Sequence, residues 1–206
     1  GYRAHFPEVH LRVTAYAGTE NDAEALLDDY TDEVTARLAG YVFSTNGGTM
    51  EEALGGLLRE RNLTLATAES CTGGLISHRV TNVPGSSEYF LEGVVSYSNE
   101  AKEKILGVPH ETLVEHGAVS GPVVEAMARG VRKLSGSDIG VAVSGIAGPG
   151  GGTLEKPVGT VYIGTDSASH GARSERFLFF GTREDIKLAT SSRAIMTVMQ
   201  ILLNNV

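Results

Sequence analysis

The chain is expected to fold as an α/β protein: a three-layer domain with a mixed β-sheet flanked by helices, preceded by a small strand-helix-strand segment. Three observations predict this. Strand-like runs of six to eight residues alternate with stretches of helical period from residue 49 onward, as in a layered α/β domain. Two strand-like runs, "VGTVYIGT" (158–165) and "ERFLFFG" (175–181), follow one another with no helix between them, which implies an antiparallel pair and hence a mixed sheet. The first 46 residues instead give a single helical stretch between two short strand-like runs.

In order, "HLRVTAYA" (10–17) alternates in the manner of a strand, "NDAEALLDDYTDEVTARLAG" (21–40) reads as a helix and "YVFST" (41–45) as a strand. So short a unit buries little surface by itself and is expected to lean on the rest. "TNGGT" (45–49) is the joint, dividing residues 1–46 from a second domain over 47–206. Thr49 and Glu52 form a capping box ahead of a helix with Met50, Leu54, Leu57 and Leu58 on one face. A strand "LTLATA" (63–68), a helix "TGGLISHRVTNV" (72–83), a strand "GVVSYS" (93–98) and a short helix "NEAKEKILG" (99–107) come next. Ser120 is placed as the cap of a helix bearing Val124, Met127, Val131 and Leu134. "IGVAVSG" (139–145) has the unbroken apolar character of a central strand, and a last helix sets Leu188, Ile195, Met199 and Leu202 on one face.

Composition narrows function. Seventeen Lys plus Arg against twenty-five Asp plus Glu give a formal charge of -8, which argues against a nucleic-acid binder. No apolar run approaches the roughly 18 residues of a membrane span and no secretory leader is visible, so a cytoplasmic protein without a membrane partner is expected. The lone Cys71 precludes an intrachain disulfide or a cysteine-built zinc site, and the six histidines show no metal-binding spacing. Scattered surface histidines are expected.

Chemistry concentrates in "ATAESCTGG" (66–74), a strand running into a helix start. Unpaired N–H groups and the positive end of the helix dipole there favour an anion or a developing oxyanion. Gly73 and Gly74 leave the backbone open to a ligand. Ser70 or Thr72 could be no more than a helix cap, and Glu69 suits either a helix-start carboxylate or a ligand contact. Ser70 ranks above Cys71 as nucleophile because a free cysteine is most often a small buried apolar group. Neither G-x-S-x-G nor S-x-x-K surrounds Ser70, so its base must come from elsewhere. "SYSNEAKEK" (96–104) offers Tyr97 at a strand end and Lys102 in the following helix, on the sheet edge where open α/β folds build sites. A desolvated lysine can act as a general base near neutral pH, and a solvated surface lysine is the alternative. The loop "SGIAGPGGG" (144–152) is neither a P-loop nor a dinucleotide fingerprint, yet it can cradle a phosphate-sized group.

Taken together, "TAESCTGG", "YSNEAK", "HGAVS", "SGIAGPGGG" and "KPVGTVYIG" resemble the C-terminal domain of the bacterial CinA proteins, which also occurs alone as the PncC-type nicotinamide mononucleotide amidohydrolase. Residues 1–46 resemble the end of the part that precedes this domain. The resemblance implies hydrolysis of the carboxamide of nicotinamide mononucleotide to nicotinate mononucleotide and ammonia, without metal or cofactor. It implies Ser70 as nucleophile, Lys102 as base and Tyr97 as a supporting hydroxyl. Thr72, Gly73, Gly74, Ser144, Gly145, Ala147, Gly148 and Lys156 would surround the nucleotide. It also implies a homo-oligomer, a dimer or larger. A catalytically silent nucleotide-binding or regulatory domain is the alternative.

Overall fold

The computed structural model describes residues 1–203. A hairpin of β1 (Tyr2–His5) and β2 (Glu8–Leu11) leads to helix α1 (Glu20–Arg37). The domain that follows runs α2 (Met50–Arg61), β3 (Leu65–Glu69), α3 (Leu75–Thr81), β4 (Phe90–Val95), α4 (Asn99–Leu106), α5 (His110–His116), α6 (Gly121–Ser135), β5 (Ile139–Gly145), β6 (Thr160–Ser167), β7 (Arg173–Leu178) and α7 (Arg183–Leu203). The expected mixed sheet is present, in the order β4-β3-β5-β6-β7. β4, β3 and β5 are parallel, and β6 and β7 are antiparallel to their neighbours.

Two apolar layers sandwich the sheet. Leu54, Leu58, Ile76, Ile195, Met199 and Leu202 from α2, α3 and α7 meet one face. Leu106, Leu113, Val123, Val124, Met127 and Val131 from α4, α5 and α6 meet the other. Helix α7 has the length and composition of a membrane-crossing helix, but 61% of its most apolar window is buried in this core. The layers approach at backbone distance where glycine permits it. A Cβ on Gly164 of β6 would stand 2.6 Å from the Val124 carbonyl oxygen, and one on Gly130 of α6 would stand 2.9 Å from the Leu106 carbonyl carbon. Lacking those methylene carbons, α6 seats directly on the sheet and α4 directly on α6.

The two rims of the sheet differ. β4 reads "FLEGVV", with Glu92 its sole charge, whereas β7 reads "RSERFL" and carries Arg173, Glu175 and Arg176.

The N-terminal unit contains a helix and two strands, but both strands precede the helix. β1 pairs with β2 in register Tyr2↔Leu11 to His5↔Glu8, while residues 12–17 and 41–45 lie outside any strand. Alternation alone does not make a strand without a partner edge, and these segments have none. No residue of α1 is buried. The unit is tied to the rest by polar contacts. The half-buried Glu8 lies 3.6 Å from Arg79 of α3, and Gln200 donates to the Gly40 carbonyl at 3.1 Å. Arg79 is itself clamped by Glu51 of α2 and by the Ser191 and Ser192 hydroxyls at 2.8 and 2.6 Å. A cation this buried is tolerated because carboxylates and hydroxyls surround it.

Candidate active site

The parallel register builds the site. Glu69 of β3 pairs with Val95 of β4 and with Val143 of β5, so the residues after all three strands emerge side by side. Ser70, the Ser96–Tyr97 segment and Ser144–Gly145 therefore meet at one sheet edge, where doubly wound folds place ligands.

Helix α4 starts at a Ser98 cap that accepts from the Ala101 N–H at 3.1 Å, and this short helix turns Lys102 back under the edge. Lys102 is 1% exposed. Its Nζ lies 3.2 Å from Ser70 Oγ, 2.8 Å from the Ser96 carbonyl oxygen and 3.2 Å from the Tyr97 carbonyl oxygen. No carboxylate forms an ion pair with it among the described residues. Burial therefore lowers its pKa from the ordinary lysine value. A neutral amine has two N–H bonds and one lone pair. Here the two carbonyls accept the N–H bonds and the lone pair is left facing the serine hydroxyl.

The Ser70 turn is fixed from below. Gly73 and Gly74 have φ of +64° and +98°, a region that side-chain-bearing residues seldom enter. The buried Glu69 carboxylate accepts from the N–H groups of Gly74, Ile76 and Ser77 at 3.0, 3.0 and 2.8 Å, and from the Ser77 hydroxyl at 2.7 Å. Glu69 is thus the helix-start carboxylate. This revises the expectation that the N–H groups of the helix start hold an oxyanion, since most of them are already donated. The Cys71 and Thr72 N–H groups, immediately after the serine, donate to no acceptor among the described residues. They are the free donors closest to Ser70 in the chain.

Cys71 borders the same cavity, but burial pushes its thiol pKa up to about 12, which keeps it protonated and unreactive at neutral pH. The cavity measures about 210 Å³ and is lined by Ser70, Cys71, Tyr97, Gly145, Ala147 and Arg183.

The other expected residues divide. Thr72 is fully buried with an unpartnered hydroxyl. Tyr97 is 62% exposed, and its phenol oxygen accepts from Arg183 Nη2 at 3.1 Å. Gly148 accepts from Arg183 Nη1 through its carbonyl at 2.7 Å. Ser144 instead donates its hydroxyl to the Ala118 carbonyl at 2.7 Å and holds the 117–120 turn. Lys156 donates to the His116 carbonyl at 3.1 Å, pinning the glycine loop to the end of α5. Of the residues expected around the nucleotide, Gly145 and Ala147 line the cavity, whereas Thr72, Gly73, Gly74, Ser144, Gly148 and Lys156 do not. Arg183 was not expected, although an arginine in the first turn of a helix, where the dipole disfavours a cation, is a signal that something else holds it.

Residues 48–202 match the family model of the CinA C-terminal domain, and residues 1–44 match that of the damage-inducible protein CinA KH domain. The chain belongs to the CinA family. A CinA-like protein from Geotalea uraniireducens is 51% identical over 191 residues, covering 93% of this chain and 45% of the relative. The chain thus spans about half the length of the curated relatives it matches. Among solved structures, the competence/damage inducible protein CihA from Agrobacterium tumefaciens is 41% identical with a TM-score of 0.70, covering 79% of this chain and 99% of that one. A competence-damaged protein (CinA) superfamily protein from Klebsiella pneumoniae is 34% identical with a TM-score of 0.71, covering 76% and 99%. The CinA C-terminal domain is therefore the part of this chain that carries the serine and lysine.

Proposed function

We propose that this chain hydrolyses the carboxamide of nicotinamide mononucleotide, giving nicotinate mononucleotide and ammonia, with Ser70 as nucleophile and Lys102 as general base. One observation carries the reading: a buried lysine without a carboxylate partner, its N–H bonds spent on two backbone carbonyls, stands 3.2 Å from a serine hydroxyl. Such an amine has the depressed pKa that a base needs and the position to use it.

Lys102 takes the Ser70 proton as the oxygen bonds to the carboxamide carbon, and the Cys71 and Thr72 N–H groups receive the oxyanion. The tetrahedral adduct collapses by breaking its C–N bond, and the protonated lysine gives its proton to the departing nitrogen, which leaves as ammonia. Water then gives a proton to the neutral lysine and attacks the ester. The ester C–O bond breaks, and Ser70 recovers its proton from the lysine. The pyridinium charge of the substrate, near Lys102, favours the neutral amine further. Tyr97 and Arg183, hydrogen-bonded to each other, line the cavity that would receive the ring.

The test is ammonia release from nicotinamide mononucleotide. Ser70→Ala is expected to lose at least about 10³-fold in turnover while still binding the nucleotide, as measured by calorimetric titration. Near wild-type turnover in Ser70→Ala would overturn the covalent scheme.

A further inference from the structure

The cavity at Ser70 is smaller than the roughly 300–1,000 Å³ that encloses a drug-sized ligand whole. A pyridine ring presenting its carboxamide to Ser70 takes up such a space, so the ribose phosphate of a mononucleotide has to lie at the rim. One part of that rim is cationic. Arg183 and Lys187 are four residues apart on α7 and so share a helix face. Arg183 lines the cavity, and Lys187 Nζ stands 4.0 Å from the point a Cβ on Gly73 would occupy, beside the nucleophile turn.

Arg183 is engaged by the Tyr97 hydroxyl and the Gly148 carbonyl. Lys187 has no such engagement. It is half-buried, and among the described residues no acidic side chain lies within ion-pair distance of it or of Arg183. In a chain of formal charge -8, carboxylates are plentiful, yet this cation stands apart from them. An ammonium held over a side-chain-free glycine presents its charge to whatever occupies the rim. An anionic group there gains a charge-assisted bond that no protein carboxylate competes for.

We infer that Lys187 is a specificity-determining residue that binds the 5′-phosphate of the mononucleotide at the rim beside Gly73. The inference rests on the amidohydrolase reading for its substrate. It separates two compounds with the same carboxamide and ribose, nicotinamide mononucleotide and nicotinamide riboside, by the phosphate alone.

The experiment measures ammonia release from both compounds by the full chain and by its Lys187→Ala and Lys187→Arg variants. Lys187→Ala is expected to raise KM for the mononucleotide about 10- to 100-fold at nearly constant kcat, and to leave the riboside kinetics unchanged. Lys187→Arg is expected to restore most of the lost affinity. Equal losses on both compounds, or an unchanged mononucleotide KM, would overturn the inference. If the wild-type chain releases ammonia from neither compound, the amidohydrolase reading fails instead. Calorimetric titration of mononucleotide into wild type and Lys187→Ala then decides the phosphate contact: weaker binding by the variant sustains it and equal binding ends it.

Discussion

Replacing Gly130 by alanine perturbs the site from a distance, through the backbone. A Cβ there would stand 2.9 Å from the Leu106 carbonyl carbon and closer still to its oxygen, whereas unstrained carbon contacts need about 3.5 Å. The obstacle is main chain, so no rotamer change relieves it. The oxygen sets the requirement: either α4 withdraws from α6 by roughly 1 Å or more, or α6 lifts from the sheet. Leu106 lies one turn beyond Lys102 in the same helix, so withdrawal of α4 carries the lysine with it. The 3.2 Å separation from Ser70 would lengthen to about 4 Å, past the range of a hydrogen bond. A displacement approaching 1 Å at a reacting group can cost about 10²-fold, so a loss of about 10- to 100-fold in kcat is expected. Overpacking adds about 1–3 kcal/mol of destabilisation, or roughly 2–12 °C in Tm. The assay is steady-state ammonia release beside thermal denaturation, at a temperature where the variant is fully folded. Gly56→Ala is the control: no atom lies within 4 Å of its Cβ position, so activity is retained and the helix gains about 0.5–1 kcal/mol. A folded Gly130→Ala protein with wild-type kcat would refute the claim that α6 sets the position of the lysine.

The pH profile should carry the mark of Lys102. Its folded pKa is lowered from 10.5, so the competent neutral amine accumulates as pH rises through that lowered value, and log kcat/KM should climb with unit slope to a plateau. A break at the ordinary lysine value would count against Lys102 as the base. Between the lowered value and 10.5 the unfolded chain holds the extra proton, so wild type should also gain stability with pH relative to Lys102→Met, as seen in urea titrations. Glu69→Ala strips one buried and two part-buried N–H groups, and the Ser77 hydroxyl, of their acceptor and should cost about 3 kcal/mol, a Tm fall of roughly 6–12 °C. Scanning calorimetry would read it, and an unchanged Tm would rule out the carboxylate as an anchor of the turn. Cys71→Ala should keep turnover within about threefold, because the protonated thiol does no chemistry. Abolished ammonia release in that folded variant would point to the sulfur instead.

What was legible in the sequence followed from strong local rules. Strand β5 was read over its true span because both of its faces are buried and its residues are apolar without alternation. The Thr49–Glu52 capping box marks the start of α2 because both reciprocal bonds are made. Helix α5 was not legible: it is seven residues long, follows Pro109 and has no side-chain cap. Ser120 stands at the N-cap of α6 as expected, but its hydroxyl turns back to the Gly117 carbonyl instead of bonding a helix N–H, and Leu134 is half exposed. In the site, Ser70 and Lys102 could be named because each follows a strand in a parallel set. Arg183 reaches the cavity beside Ser70 only because α7 folds back across the sheet, a long-range fact that no spacing encodes. Ser144 and Lys156 are polar residues in the expected loops, and their partners turned out to be local carbonyls that a sequence does not advertise.

The unequal rims of the sheet bear on how copies of this chain could meet. An apolar strand such as β4 invites a further strand, whereas the alternating charges of β7 make such an addition costly. Joining β4 to β4 would consume the receptive border of the five-stranded sheet on each partner and leave only the charged β7 rim of that sheet. Pairing through this sheet alone would stop at two copies, because a β4-to-β4 junction uses up the one largely apolar rim the five-stranded sheet has.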